Sequence, residues 1–363
     1  MNSPQTNVEA FVRTYRAEID AAIARVLDSG QFVLGPEVEA FEREFAAFLG
    51  VRCAIGVASG TEALWLALKS LGMSPGDEVV TVSWTATATV AAIVETGARP
   101  VFVDVCRDDL TMDPAQLSEA LTARTRAIVP VHLYGQPARM PEICTIAQQA
   151  GVPVIEDAAQ AHGAQCAGRS VGRWGRSGAF SFYPTKNLGA LGDGGAIVTE
   201  DANLAGELRS LREYGWERRF VSERHGWNSR LDELQAAILR VRLRHLRAEN
   251  ASRAAIAVLY DHALACAPFI TPPRFADRPS VYHQYVIRHP ERDRIRARLA
   301  VRKVPTDIHY PVPVHLQPAY RQFGRGPGSL PVTEQAAREA LSLPIYSAQG
   351  NVEEVVSVLI GLR

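Results

Sequence analysis

Between about residues 50 and 200, short apolar runs take turns with helical patterns, and that alternation restricts the chain to very few folds. The runs lie at 54–57, 78–82, 100–105, 127–131, 152–156, 178–182 and 195–199, and helical segments at 61–71, 87–96, 113–121 and 140–150 fall between several of them. Strands this apolar are buried on both faces, and a strand that returns parallel to its neighbour needs a crossover, usually a helix. The expected fold class is therefore α/β, a mostly parallel sheet covered by helices on both sides. Upstream, 37–49 reads as an amphipathic helix that starts after Gly35-Pro36 and ends at Gly50. Downstream, a helical pattern from 231 to 265 exceeds the ordinary length of a globular helix, which predicts a bend or break near Asn250. Beyond Pro272 the texture becomes proline-dotted, with a strand-like stretch at 282–287 and helices at 291–300 and 352–362. The 363 residues thus divide into a large domain, 1–245, and a smaller C-terminal α+β domain, 246–363.

Charge narrows the function classes. Lysine plus arginine (39) balances aspartate plus glutamate (39), so nothing points to a nucleic-acid or anionic-membrane partner. The arginines at 240–247 fall at helical spacing and read as the wet face of an amphipathic helix. No apolar stretch approaches the ~18 residues needed to span a bilayer. The polar start, Met-Asn-Ser-Pro-Gln-Thr, lacks the plan of a signal peptide. Five scattered cysteines (53, 106, 144, 166, 266) contain no C-x-x-C, which argues against a disulfide framework or a zinc site. The expected compartment is the reducing cytoplasm, with no metal.

Lys186 stands in Ser-Phe-Tyr-Pro-Thr-Lys-Asn-Leu-Gly (181–189), 29 positions after Asp157, which ends the apolar run Val-Pro-Val-Ile-Glu-Asp. An amine in an apolar, aromatic surround loses its proton and becomes nucleophilic. A carboxylate at the carboxyl end of a buried strand reaches the crevice where α/β folds bind ligands. The two together are the pair that pyridoxal phosphate demands: a lysine for the Schiff base and an acid to keep the pyridine nitrogen protonated. The plainer alternative is a surface lysine and a helix-capping aspartate. In 56–64 a strand turns through Ser59 and Gly60 into a helix at Thr61, a phosphate cup or an ordinary N-cap. Gln160 and His162 follow Asp157, and His162 reads first as a satisfied core residue. Ser181 precedes Lys186 by five positions, and Gly189, Gly192, Gly194 and Gly195 permit a tight return close to a ligand.

In this order Ser-Gly-Thr, Glu-Asp-Ala-Ala-Gln-Ala-His-Gly, Ser-Phe-Tyr-Pro-Thr-Lys-Asn and Gly-Trp-Asn-Ser-Arg-Leu-Asp-Glu-Leu-Gln-Ala-Ala resemble the DegT/DnrJ/StrS sugar aminotransferases. The likeness runs from Gln31-Phe-Val-Leu-Gly-Pro to the C-terminal helices. The resemblance implies pyridoxal phosphate fold type I, as in aspartate aminotransferase, and a homodimer with shared active sites. It assigns Lys186 to the Schiff base, Asp157 to the ring nitrogen, Gly60, Thr61 and Ser181 to the phosphate, and Gln160 to the ring. Asn228 would reach the phosphate from the neighbouring subunit. One departure stands out: where relatives carry a ring-stacking aromatic this chain has Ala86, and Trp84, two residues earlier, is the candidate to stack instead, with core or interface packing as the alternative.

The implied reaction moves an amino group from L-glutamate to a nucleotide-linked ketosugar. The motifs at 226–237 and 308–317 are nearest the branch that aminates C3 of dTDP-3-keto-6-deoxyhexoses. Tyr183, Arg230, His309, Tyr310 and His315 are candidate substrate contacts, each with turn packing as the alternative, preferred for His315. A C4-ketosugar aminotransferase, a pyridoxal-dependent lyase or dehydratase on the same fold, and a cofactor-bound regulator are the rival readings. Lysine at 186 favours transamination, because dehydratase relatives carry histidine there. No DNA-binding helix-turn-helix or basic tail is visible.

Overall fold

The computed structural model describes residues 8–346 and 352–360. Seven strands, β1 (Cys53–Val57), β2 (Glu78–Val82), β3 (Arg99–Val103), β4 (Thr125–Val129), β5 (Ile155–Asp157), β6 (Ser177–Ser181) and β7 (Gly195–Thr199), lie in the order β3-β2-β4-β5-β6-β7-β1. Contact between β4 and β5 consists of two parallel bridges, Ile128 with Val154 and Val131 with Asp157. Only β7 runs against the rest. The reason lies in the link before it: 182–194 holds no helix, so the chain turns straight back and pairs antiparallel with β6.

Alternation along each strand distributes the core to both faces. Ile55, Val79, Val129, Ile155 and Ile197 meet the helices Gly60–Lys69, Thr87–Glu95 and Ala202–Leu211. On the other face Val80, Val82 and Ile128 pack on Pro114–Ala120 and Met140–Ala150. Beside them Phe180 and Val198 meet the helix Pro36–Leu49. There Phe45 stands edge-on to Phe180 at 5.1 Å and to Phe182 at 5.5 Å. Truncating such a fully enclosed ring to alanine costs about 3–5 kcal/mol.

A 32-residue helix, Glu233–Leu264, runs without the break expected near Asn250. Asparagine is a weak helix former, but here its side chain reaches sideways, Nδ2 donating to the carbonyl of His162 at 2.8 Å, rather than competing for its own backbone. The first half of the helix packs Ala236, Leu239 and Leu246 under the sheet, and the second half packs Ile256, Tyr260 and Leu264 into a separate C-terminal core. At its start the buried Glu233 carboxylate accepts the N–H groups of Gly35, Glu37 and Val38 at 2.8–2.9 Å, capping the neighbouring helix.

The C-terminal core covers a two-stranded antiparallel pair, β8 (Tyr285–Arg288) and β9 (Ala340–Leu343). Sequence patterning placed a strand at 282–287 but missed β9 and the helices Val8–Thr14 and Arg16–Ser29. The last helix is Val352–Ile360; the final two positions expected for it, like the N-terminal hexapeptide, lie outside the described residues. No helix among the described residues is long and apolar enough to cross a membrane.

Candidate active site

Six of the seven strands point their carboxyl ends the same way, towards the edge where open α/β sheets bind ligands. Asp157 is the last residue of β5 and is buried. Its Oδ2 accepts the Thr89 hydroxyl at 2.8 Å and its Oδ1 accepts the Ala159 N–H at 3.1 Å. Thr89 comes from the helix after β2, and its hydroxyl also shares a 2.8 Å bond with that of Thr85. Burial raises the Asp157 pKa, while these bonds and the Lys186 charge pull it down. Its neighbour Glu156 faces the other way. There it accepts N–H bonds from Gly172, Trp174 and Gly175 and meets His132 at 3.1 Å, which makes it an anchor for the loop.

Lys186 lies half-buried in the return between β6 and β7. Burial pulls its amine down to about 8, against the opposing charge of Asp157. Such an amine is a competent nucleophile near neutral pH.

The cup forms where β1 turns into the helix Gly60–Lys69. Ser59 caps it, its hydroxyl accepting the Glu62 N–H at 3.2 Å. A Cβ on Gly60 would lie 2.5 Å from Ser181 Cβ and 2.9 Å from its Cα, so only glycine lets the end of β6 close on the helix start. Thr61 follows in the same first turn, whose peptide N–H groups have no intrahelical acceptors and carry the positive end of the helix dipole. Asp157 pairs with Ala179, which puts Ser181 two residues further along the adjoining strand. These residues fit pyridoxal phosphate: a cup for the phosphate, an amine for the aldehyde and a buried acid for the ring nitrogen.

Around this centre, Gln160 Oε1 accepts the Tyr134 N–H at 2.7 Å and its Nε2 donates to the Tyr310 hydroxyl at 3.0 Å. Burial and the negative charge of Asp157 raise the Tyr310 pKa, against the Gln160 bond. His309 shares a 2.9 Å bond between its Nδ1 and the Ser342 hydroxyl, and burial holds its imidazole down at about 4. Tyr134 donates its hydroxyl to the His309 carbonyl. Lys186, Asp157, Gln160, Tyr310 and His309 are therefore brought together, with Gly60, Thr61 and Ser181 beside them.

Other candidates stand outside this cluster, although the Tyr183 N–H donates to the Ser181 hydroxyl at 3.3 Å. Tyr183 is 52% exposed, Asn228 is exposed beside Trp227, and Arg230 is half-buried and forms no ion pair among the described residues. The stacking role expected of Trp84 is unavailable to it: the ring has no accessible surface and stands edge-on behind Tyr310 at 6.2 Å. His315 likewise reaches no cleft at Lys186. Its ring is enclosed, bonded through Nδ1 to Ser83 at 2.7 Å and facing Glu334 at 3.4 Å. It borders a cavity of about 340 Å³ that runs along the edge strand β3, lined by Glu78, Arg99, Phe102 and Arg325. Patterning also missed Thr89, Asn187, Asn250 and His283; the one usable signal was Asn187 standing directly after Lys186.

A sheet in this order, carrying this chemistry at its carboxyl ends, defines the class: a fold type I enzyme that uses pyridoxal phosphate. The model of the DegT/DnrJ/EryC1/StrS aminotransferases matches residues 13–360, and the chain belongs to that family. It is 51% identical over 343 residues, 94% of this chain and 90% of the relative, to the dTDP-3-amino-3,4,6-trideoxy-alpha-D-glucose transaminase of Streptomyces venezuelae. It is 43% identical, over 94% of this chain and 92% of the relative, to a UDP-N-acetyl-3-dehydro-alpha-D-glucosamine 3-aminotransferase of Acidithiobacillus ferrooxidans. A crystal structure of DesV from S. venezuelae superposes with a TM-score of 0.97 at 48% identity, covering 99% of this chain and 98% of that one.

Proposed function

We propose that the protein transfers the amino group of L-glutamate to the C3 keto carbon of a nucleotide-linked ketosugar, a dTDP-3-keto-6-deoxyhexose, and does so in the cytoplasm as a homodimer with shared active sites. The observation that carries this reading is the pairing of a half-buried Lys186 with a buried Asp157 beside the Gly60–Ser181 cup, in a chain whose relatives act at C3. Both of those relatives carry the 3-position in their names while differing in nucleotide, so C3 is better supported than dTDP.

When bound, the cofactor supplies an aldehyde that takes up the amino group and a ring that accepts the electron pair left on the substrate carbon. Lys186 would hold the cofactor through its aldehyde and, as a neutral amine, would be the base that moves the proton at the amino-bearing carbon. Asp157 keeps the ring nitrogen protonated, and Thr89 holds its carboxylate in place. Gly60, Thr61 and Ser181 hold the phosphate. Gln160 holds Tyr310, and Tyr310 and His309 line the substrate side, with Tyr183 and Arg230 towards the mouth.

Asn228 lies beside Trp227, 58% exposed, and follows the hairpin segment that carries Phe220, 74% exposed; apolar surface of this kind supports burial against a second copy, with Asn228 presented to that copy's phosphate. The proposed division into domains at 245/246 falls within the long helix, which reaches the large-domain core through Leu246 and the C-terminal core from Ile256 onwards.

The test is a panel of dTDP- and UDP-linked 3-keto and 4-keto sugars with glutamate as donor. Turnover confined to 3-keto, dTDP-linked sugars is expected. Preference for a 4-keto sugar, or glutamate failing to convert the cofactor to its amine form, contradicts the reading; preference for UDP corrects the nucleotide alone.

A further inference from the structure

Asn187, the residue after the cofactor lysine, is buried and held from three directions. Its Nδ2 lies 2.9 Å from Asn250 Oδ1 and 3.0 Å from the carbonyl oxygen of Val281. A peptide carbonyl only accepts, so the nitrogen must be the atom facing it. Asn250 is oriented by the same logic, since its Nδ2 donates to the carbonyl of His162 at 2.8 Å. That leaves Asn187 Oδ1, an acceptor, 3.2 Å from His283 Nδ1. The proton of His283 is therefore on Nδ1, and the enclosed ring is a neutral imidazole.

Three parts of the chain meet at this asparagine: the return after β6, the long helix and the segment leading into β8. We propose that Asn187, Asn250 and His283 form a clamp that positions Lys186, tying its backbone to the long helix while presenting it with an uncharged ring. The proposal rests on Lys186 being the cofactor lysine.

The need for such a clamp is physical. A lysine that must bond, release and then move a proton loses rate steeply if its backbone drifts. A cationic ring beside it would add repulsion to the cost of burial. The titratable and charged groups around it are Asp157 at the end of β5, His162 beyond it, His309 from the C-terminal loop, His283 itself, and Arg242 and Arg253 on the long helix. Burial holds His162 at about 3, His309 at about 4 and His283 well below its ordinary value, with the Lys186 charge adding to each. Asp157 is the anion that acts on the lysine, whereas Glu249 on the long helix offsets Arg242 and Arg253.

The chain has only three lysines, Lys69, Lys186 and Lys303, which makes the amine directly observable. In cofactor-free protein with 13C-methylated lysines, wild-type Lys186 should titrate at about 8. Asn187→Ala should raise that midpoint by about half a unit or more as water enters. In the loaded enzyme it should lower kcat about tenfold, with the glutamate KM within about twofold. His283→Phe, which cannot donate to Asn187, should move the midpoint the same way. His283→Gln, whose amide N–H can replace Nδ1–H, should restore it. An unmoved midpoint in Asn187→Ala or His283→Phe, or a His283→Gln shift as large as that of His283→Phe, overturns the proposal. If Asn187→Ala does not fold, the two His283 variants decide it. Failure of the cofactor reading shows separately, as wild-type protein that takes no borohydride label at Lys186.

Discussion

At Lys186 two influences oppose each other: burial strips the amine of its proton and Asp157 restores it. Removing the carboxylate charge therefore has a defined sign. In Asp157→Asn the midpoint for aldehyde capture, followed against pH in stopped flow, should fall below the wild-type value of about 8. Turnover should fall about 100-fold or more, because the ring nitrogen loses its ionised partner. An unchanged midpoint with wild-type turnover would remove Asp157 from the site. Both residues were legible in the sequence because each sits in a local signature: an acid ending an apolar run, and a lysine among aromatics and glycines. Thr89, Asn250 and His283 were not, since each acts on a partner 63 to 96 residues away that nothing nearby marks. Trp84 and His315 show the converse limit. Residue type was readable, but the direction of each ring depends on what packs behind it, and both turn inward.

The helix that begins at Gly60 illustrates what an element contributes. Its first turn is useful only because β6 ends against it, and the approach is closer than any Cβ tolerates. Gly60→Ala should weaken cofactor affinity about tenfold or more and cost about 1–3 kcal/mol of stability, read by absorbance titration and urea unfolding. Unaltered affinity would place the phosphate elsewhere. Most strands were legible because burial on both faces leaves apolar runs that nothing else explains. The antiparallel β7 was legible in principle from the helix-free link before it. Two elements were misread for identifiable reasons. Asn250 looked like a helix breaker because its long-range bonds are invisible in sequence. β9, Ala-Leu-Ser-Leu directly after the helix Pro331–Glu339, has nothing local to separate it from that helix.

Over the whole molecule, enclosed neutral histidines make stability depend on pH. Burial holds His162 at about 3 and His309 at about 4, whereas the unfolded chain protonates both near 6.5. Their contribution is full above about pH 7 and is lost as pH falls from 6.5 towards 4, at up to ~1.4 kcal/mol per pH unit for each histidine. Glu37, Glu78 and Glu334, whose pKa values are lowered, add a loss at still lower pH, while the raised Asp157 works slightly the other way. The urea midpoint should drop steadily between pH 6.5 and 4.5; a flat profile there would mean that the rings are not enclosed. The most direct test of the central claim is borohydride reduction of the pyridoxal phosphate-loaded protein, followed by peptide mapping across its three lysines. The label should appear on the peptide holding Lys186 alone; label on Lys69 or Lys303, or none at all, would contradict the account.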